Sequence, residues 1–370
     1  MSSQERDRTQ RHKQGDKPPG VGSMFGRKGA DGGKEMSVVP KVEFTSYYGR
    51  PIVKPAPWEV EVAAYLFLGG LAAGSALLAA GAQFTGNAEL RRTCRFAAIS
   101  AATLGTGALI RDLGRPKRFL HMLRTVKITS PMSVGSWLLV GFSGVAGVAA
   151  AGEVDRVLGK NRPGGSLFGH KRGLVDVAEN TAGLIGAFLA PGLAAYTAVL
   201  LTNTATPTWA GAGRELPFVF AGSASMAAGG LAMITNSTEA AEPARRFALA
   251  GVGVELAATE VMRRRMDPVE AEPMTTGAPG RKLAVSRALA AVGGAGILLS
   301  SGLRRRRGAR VISALTGGVL LASSALNRLG IFEAGIASAN DPKYTVEPQK
   351  RRLERRRAAG SRADSITASR

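Results

Sequence analysis

Glu61 and Tyr65 lie four residues apart near the start of the first long apolar run. That spacing puts a carboxylate and a phenol on one face of a helix, about a turn inside its polar end. Such a pair could hydrogen-bond the carbonyl or hydroxyl of a quinone and relay its proton. A plainer reading sends Glu61 to the lipid headgroups and places Tyr65 in an aromatic belt. The residues alone leave both open. Tyr196, beyond Pro191-Gly192 in a later apolar run, could donate to a quinone oxygen or equally to a helix carbonyl.

Ionisable groups inside or at the edge of apolar runs are costly, so each is a functional candidate. Asp112 sits between Arg111 and Arg115 in the stretch LIRDLGRPKRF, residues 109–119. An adjacent guanidinium favours the ionised carboxylate, and Gly114 and Pro116 should end a helix and turn the chain. Proton transfer by Asp112 and Arg115 and a salt bridge pinning a charged corner at the membrane face are both consistent with that pattern. Glu179, with Asn180, opens another run, and Glu255 and Glu260 lie in a further one. Pairing with Arg263–Arg265 suits Glu260 better than Glu255. Met226 and Met233 read as packing residues.

The elements that must hold these groups are nearly uncharged stretches of roughly 18–25 residues, the length that crosses a hydrocarbon core. Eight are expected, at about 59–83, 94–111, 133–152, 176–202, 215–236, 244–262, 284–303 and 309–327, the last two separated only by Arg304–Arg310. The expected fold is therefore an all-α integral membrane protein. Residues 1–55 read as a disordered basic tail, 56–330 as the transmembrane domain and 331–370 as a C-terminal tail, unstructured after Val346. The stretch from Tyr47 to Trp58 and the segment DPKYTVEP, residues 341–348, carry aromatics and prolines that suit a membrane surface or a docking strip. Gly70 with Gly74, and Ala101 with Gly105, have the small-xxx-small spacing of closely packed membrane helices.

The chain has 370 residues, 45% of them hydrophobic, and a formal net charge of +22. That charge does not point to nucleic acid, because the basic tails lack stacking aromatics and basic residues flanking apolar runs set membrane orientation. Counted over connectors alone, the positive residues do not decide the topology. Near-membrane Lys41, Arg50, Lys54, Arg328 and Lys343 favour both termini in the cytoplasm. The first apolar run begins too late and is too long for a signal peptide. One cysteine, Cys94, rules out an internal disulfide and an iron–sulfur cluster carried by this chain. His12, His121 and His170 all lie outside the apolar runs, so no haem is expected.

The blocks YLFLGGLAAG from Tyr65, DLGRP from Asp112 with Arg118-Phe119, and SPMS-GSW from Ser130 together resemble the NrfD, polysulfide reductase membrane-subunit family. Tyr196–Leu201 and Trp209 with Glu215-Leu216-Pro217 continue the resemblance, which covers most of residues 58–327. It implies eight transmembrane helices in two four-helix bundles, without haem. It also implies electron exchange between a membrane quinone, menaquinone, and a four-cluster ferredoxin-like iron–sulfur subunit serving a molybdopterin oxidoreductase. In such subunits the quinone pocket lies in the first bundle, lined by polar residues of the first and fourth helices. Glu61, Tyr65 and Tyr196 occupy the matching positions, with carboxylate and phenol where relatives can use an amide and an imidazole. Two other classes compete. A proton- or cation-coupled transporter would use Asp112, Glu179 and Glu255 with a helix broken at Pro191-Gly192. A passive anchor would merely hold a complex at the membrane.

Overall fold

The computed structural model describes residues 51–159, 172–302 and 308–359. The basic segment before residue 51, including Tyr47 and Tyr48, lies outside them, as does His170. No strand occurs among the described residues. The long helices are α1 (Val60–Phe84), α2 (Ala88–Asp112), α4 (Pro131–Gly159), α5 (Arg172–Thr202), α7 (Leu216–Thr235), α8 (Glu242–Arg265), α10 (Gly277–Gly302) and α11 (Ala309–Asn340). Short helices α3 (Lys117–Met122), α6 (Pro207–Gly211) and α9 (Pro268–Ala271) sit in connectors, and α12 (Lys343–Ala358) closes the chain.

All of the long helices except α8 are long and apolar enough to cross a membrane. Helix α8 is long but carries Arg245, Arg246, Glu255, Glu260 and Arg263–Arg265. It lies antiparallel along α7: a Cβ at Gly222 would stand 2.6 Å from the Glu255 amide nitrogen, and one at Gly229 2.6 Å from the Ala244 carbonyl. With backbone and small side chains such as Ala248 in close approach there, dispersion contacts hold the pair.

Helices α1, α2, α4 and α5 pack on one another, and so do α7, α8, α10 and α11. Helix α1 joins the two sets. Gly70 and Gly74 face α7 and α11 rather than α2: a Cβ at Gly74 would lie 2.6 Å from the Ala224 carbonyl oxygen, and one at Gly70 2.8 Å from Arg328 Nη2. Met226 and Met233 are fully buried in the second set, as packing residues.

Turn chemistry agrees with the sequence. The Asn87 side chain caps α2 by accepting from the Leu90 amide at 3.1 Å. Gly114 ends α2 at φ +69°, a left-handed value that favours glycine, and Pro116 precedes α3. Several boundaries shift by a turn or two, as at the starts of α2 (Ala88) and α10 (Gly277) and the end of α4 (Gly159), and two differences at the C-terminal end go further. Helix α11 runs through residue 327 to Asn340 because Arg328, which looks like a terminating charge, is only 1% exposed and held inside the protein. For the same reason Arg328 drops out of the near-membrane charges that orient the chain. Helix α12 stands where an unstructured tail is expected after Val346.

Candidate functional site

The first and fourth long helices bring Tyr65 and Tyr196 together, with ring centroids 6.4 Å apart and planes inclined at 57°. Glycines make the room. A Cβ at Gly105 would touch Tyr65 Cδ2 at 3.3 Å, and one at Gly135 would overlap the Tyr196 ring outright. The small residues on α2 and α4 are therefore seats for the two phenols. Tyr65 is 2% exposed, and its hydroxyl has no hydrogen-bond partner.

One turn toward the helix start, Glu61 ends in two different oxygens. Oε1 meets Arg111 Nε at 3.4 Å, whereas Oε2 is buried without a hydrogen-bond partner. Asp112 is buried beside this pair, and its Oδ1 accepts the Glu59 amide at 3.3 Å, tying the end of α2 to the start of α1. Arg115 is exposed on the turn and makes no ion pair with Asp112. The charged corner is fixed by that backbone tie and by the Arg111–Glu61 bridge, not by a flanking Arg115 bridge. Glu61, Tyr65 and Tyr196 thus form one locus, with Asp112 supporting its outer end.

Glu179 belongs elsewhere. It lies 17 residues before Tyr196 on α5, about 25 Å along the helix. There it enters a buried charge cluster that the sequence reading did not foresee. Arg95 meets Glu153 at 3.0 Å and Glu179 at 3.3 Å; Arg91 meets Glu153 at 2.7 Å; Arg156 bridges Glu153, Asp176 and Glu179. Arg172 adds Asp155 and Asp176. Gly152 is required because a Cβ would collide with the Glu179 carboxylate. Arg95 inside an apolar run was the one available signal; its partners come from α4 and α5.

Glu255 forms a third, separate group in the second set of helices. It is fully buried; its Oε1 accepts from Asn327 Nδ2 at 3.0 Å, and Arg328 is its electrostatic neighbour. Arg328 donates to the Phe220 carbonyl at 2.6 Å and lies 3.8 Å over the Phe220 ring. Glu260, by contrast, pairs with Arg263 and Arg264 as expected. The three acids invoked for ion coupling are therefore far apart. Helix α5 also runs unbroken through Pro191, which removes the broken helix that a transporter would use.

The described parts of the two aromatic segments pack against the protein itself. Trp58 stacks on the buried Trp209 at 5.7 Å, and Trp209 donates to the Ile331 carbonyl at 2.8 Å. At the other end, Lys343 bonds Glu272 at 2.7 Å, which raises the lysine pKa, and Arg352 meets Glu270 at 2.8 Å. Burial lifts the Glu270 carboxyl above its ordinary range. No group of metal-ligating side chains occurs among the described residues.

The family model described as polysulphide reductase, NrfD, matches residues 52–261, more than half of the chain. A search of curated proteins finds no match. The matched stretch contains Glu61, Tyr65, Asp112, Glu179, Tyr196 and Glu255 and ends near the close of α8, ahead of α10 and α11.

Proposed function

The chain belongs to the NrfD, polysulphide reductase, family of membrane subunits of oxidoreductase complexes, and on that premise we propose that it binds menaquinone beside Glu61, Tyr65 and Tyr196 and passes electrons between it and an iron–sulfur subunit. That subunit, of the four-cluster ferredoxin-like type, serves a molybdopterin catalytic subunit.

The observation that carries the reading is a pair of orphaned oxygens. Tyr65 Oη and Glu61 Oε2 are buried, one helical turn apart, and neither has a partner in the protein. A buried polar group left unpaired costs about 1–3 kcal/mol, a cost that a ligand with polar oxygens would relieve by bonding both. When bound, a quinone supplies two-electron, two-proton chemistry. The chain's own groups would position it and move protons: Tyr65 donates from inside, and Tyr196 packs against the Tyr65 ring. Glu61, whose side chain is 17% exposed, carries protons between the interior and the rim. Arg111, 82% exposed at that rim, pairs with Glu61 Oε1.

Helix α8 is read as an eighth crossing despite its charges, because it runs the length of α7 and its charged ends pair locally. Eight crossings place both termini on one side, and the basic residues near them favour the cytoplasm of a cell-membrane protein. The exposed Arg111, Arg115, Lys117 and Arg118 around the outer end of the site offer a basic surface to the iron–sulfur partner. Affinity purification through this chain tests the assembly: iron and molybdenum should co-purify in stoichiometric amounts. A chain that purifies with neither metal refutes the assignment.

A further inference from the structure

A narrow crevice between α8, α10 and α11 opens at the end of the helix set where α1 begins. Its lining runs from the exposed Arg263, past Thr259, to Asn327, which is only 2% exposed. The space inside is about 30 Å³, room for one or two waters, since a single water needs about 10–15 Å³. Met262, Met266, Leu283 and Ile331 close the other walls and are themselves buried.

Three polar atoms follow one another inward from this space, each buried and without a hydrogen-bond partner: the Thr259 hydroxyl, Asn327 Oδ1 and Glu255 Oε2. Thr259 and Glu255 stand one turn apart on one face of α8. Asn327 joins them from α11, donating its Nδ2 to Glu255 Oε1 at 3.0 Å. Buried polar atoms left unpaired are costly, and a water shared by two to four such groups removes that cost. The arrangement is that of a short hydrogen-bonded chain from the crevice to the carboxylate.

Few charges surround Glu255. From α11 it faces Arg328, which spends Nη2 on the Phe220 carbonyl and leaves Nε and Nη1 unpaired. Helix α7 presents the uncharged Ser223. Helix α10 brings Ser286, bonded to Ser323, and Arg287 at the crevice, and α1 backs Arg328 with Gly70. Glu260 and Arg263, nearer the end of α8, pair with each other. On the far side of Glu255 the helix set is dry. Met226, Met233, Ala248, Val252, Ala290 and Leu320 form one apolar cluster there, so the polar chain reaches Glu255 from one end only.

We propose that Glu255 is a proton-holding site, loaded and emptied through water in the Thr259–Asn327 crevice from the membrane face that carries α9 and α12. An arriving proton bonds to Oε2, gives the neutral carboxyl and leaves Arg328 as the net charge of the group. It departs by the same route, so the site stores a proton without conducting it across the membrane. None of this depends on quinone binding.

Infrared difference spectroscopy of the full chain in neutral detergent, through steps of pH and on transfer to D2O, tests the site. The native protein should show a carboxyl C=O band that titrates, shifts on deuteration and is missing in Glu255→Gln. Thr259→Val removes the hydroxyl and should slow the deuterium exchange of that band roughly tenfold, the worth of about one hydrogen bond. Thr316→Val, about 16 Å along α11 from Asn327 and past the apolar cluster, should leave the exchange unchanged. If Glu255→Gln does not fold, Glu255→Asp keeps the carboxyl and should move the band without abolishing it. A Glu255 carboxyl that stays in one protonation state at every pH overturns the proposal, as does equal exchange in the native protein and Thr259→Val. Slower exchange in Thr316→Val instead would put the access on the opposite face and refute the route.

Discussion

Gly135 and Tyr196 occupy one space: the phenol ring lies where any side chain on residue 135 would stand. The ring in turn packs against Tyr65, so a glycine on α4 sets the geometry of a locus formed by α1 and α5. The GSW motif at 135–137 thereby gains a physical role.

Gly135→Ala should therefore displace Tyr196 and lower quinone reduction by the assembled complex, with overpacking that destabilises by about 1–3 kcal/mol. Adding Tyr196→Leu should recover stability without recovering turnover, a non-additive pair. Turnover restored by the double substitution would mean that Tyr196 contributes only bulk. The readouts are thermal unfolding and quinone-dependent turnover.

Much of this locus was legible in the sequence, because the i, i+4 spacing of Glu61 and Tyr65 and the Gly-Pro corner after Asp112 are local signals. The charge cluster was not. Arg95 was visible within an apolar run, but its partners Glu153 and Glu179 lie on other helices, and a window of hydropathy carries no record of pairing. Arg328 was misplaced for a related reason. A charge near the end of an apolar run looks like a terminus unless its neighbours, here Glu255 and Phe220, are known to surround it. At the charged corner the sequence does not say which arginine meets which acid: Gly114 turns Arg115 outward, while Arg111 reaches across to Glu61.

Breaking the buried cluster should cost stability. Arg95→Met leaves Glu153 and Glu179 short of a buried partner, a loss of about 3–5 kcal/mol in comparable buried pairs. Glu179→Gln should also lower the unfolding midpoint. Because Glu179 lies about 25 Å along α5 from Tyr196, the affinity of the folded fraction for a quinone analogue should hardly change. A selective loss of quinone affinity in Glu179→Gln, with unaltered unfolding, would place that acid in the functional path instead.

Acid–base behaviour at the α9–α12 contact follows from Glu270, whose carboxyl burial raises. A raised folded pKa means that the folded chain keeps a proton the unfolded chain has released. This group's contribution therefore falls as pH rises from the ordinary glutamate value, about 4.3, through the raised one, and is level above it. Glu270→Gln removes that slope. The exposed Arg352 partner offsets little, since surface pairs contribute about 0–1 kcal/mol. Unfolding midpoints measured across this window should diverge in favour of Glu270→Gln as pH increases. A constant difference would show that the carboxyl titrates as it does in water.

The most direct measurement is the dissociation constant of a menaquinone analogue for the purified full chain, compared among the native protein, Tyr65→Phe and Glu61→Gln. Each substitution removes or neutralises one of the two orphaned oxygens, and hydrogen bonds to neutral and charged groups set a loss of roughly tenfold for each. The Tyr65→Phe midpoint should stay close to native, because that hydroxyl has no hydrogen-bond partner in the protein to lose, whereas Glu61→Gln also gives up the exposed ion pair with Arg111, a loss of about 0–1 kcal/mol. Native affinity in both variants would contradict a quinone site between α1 and α5.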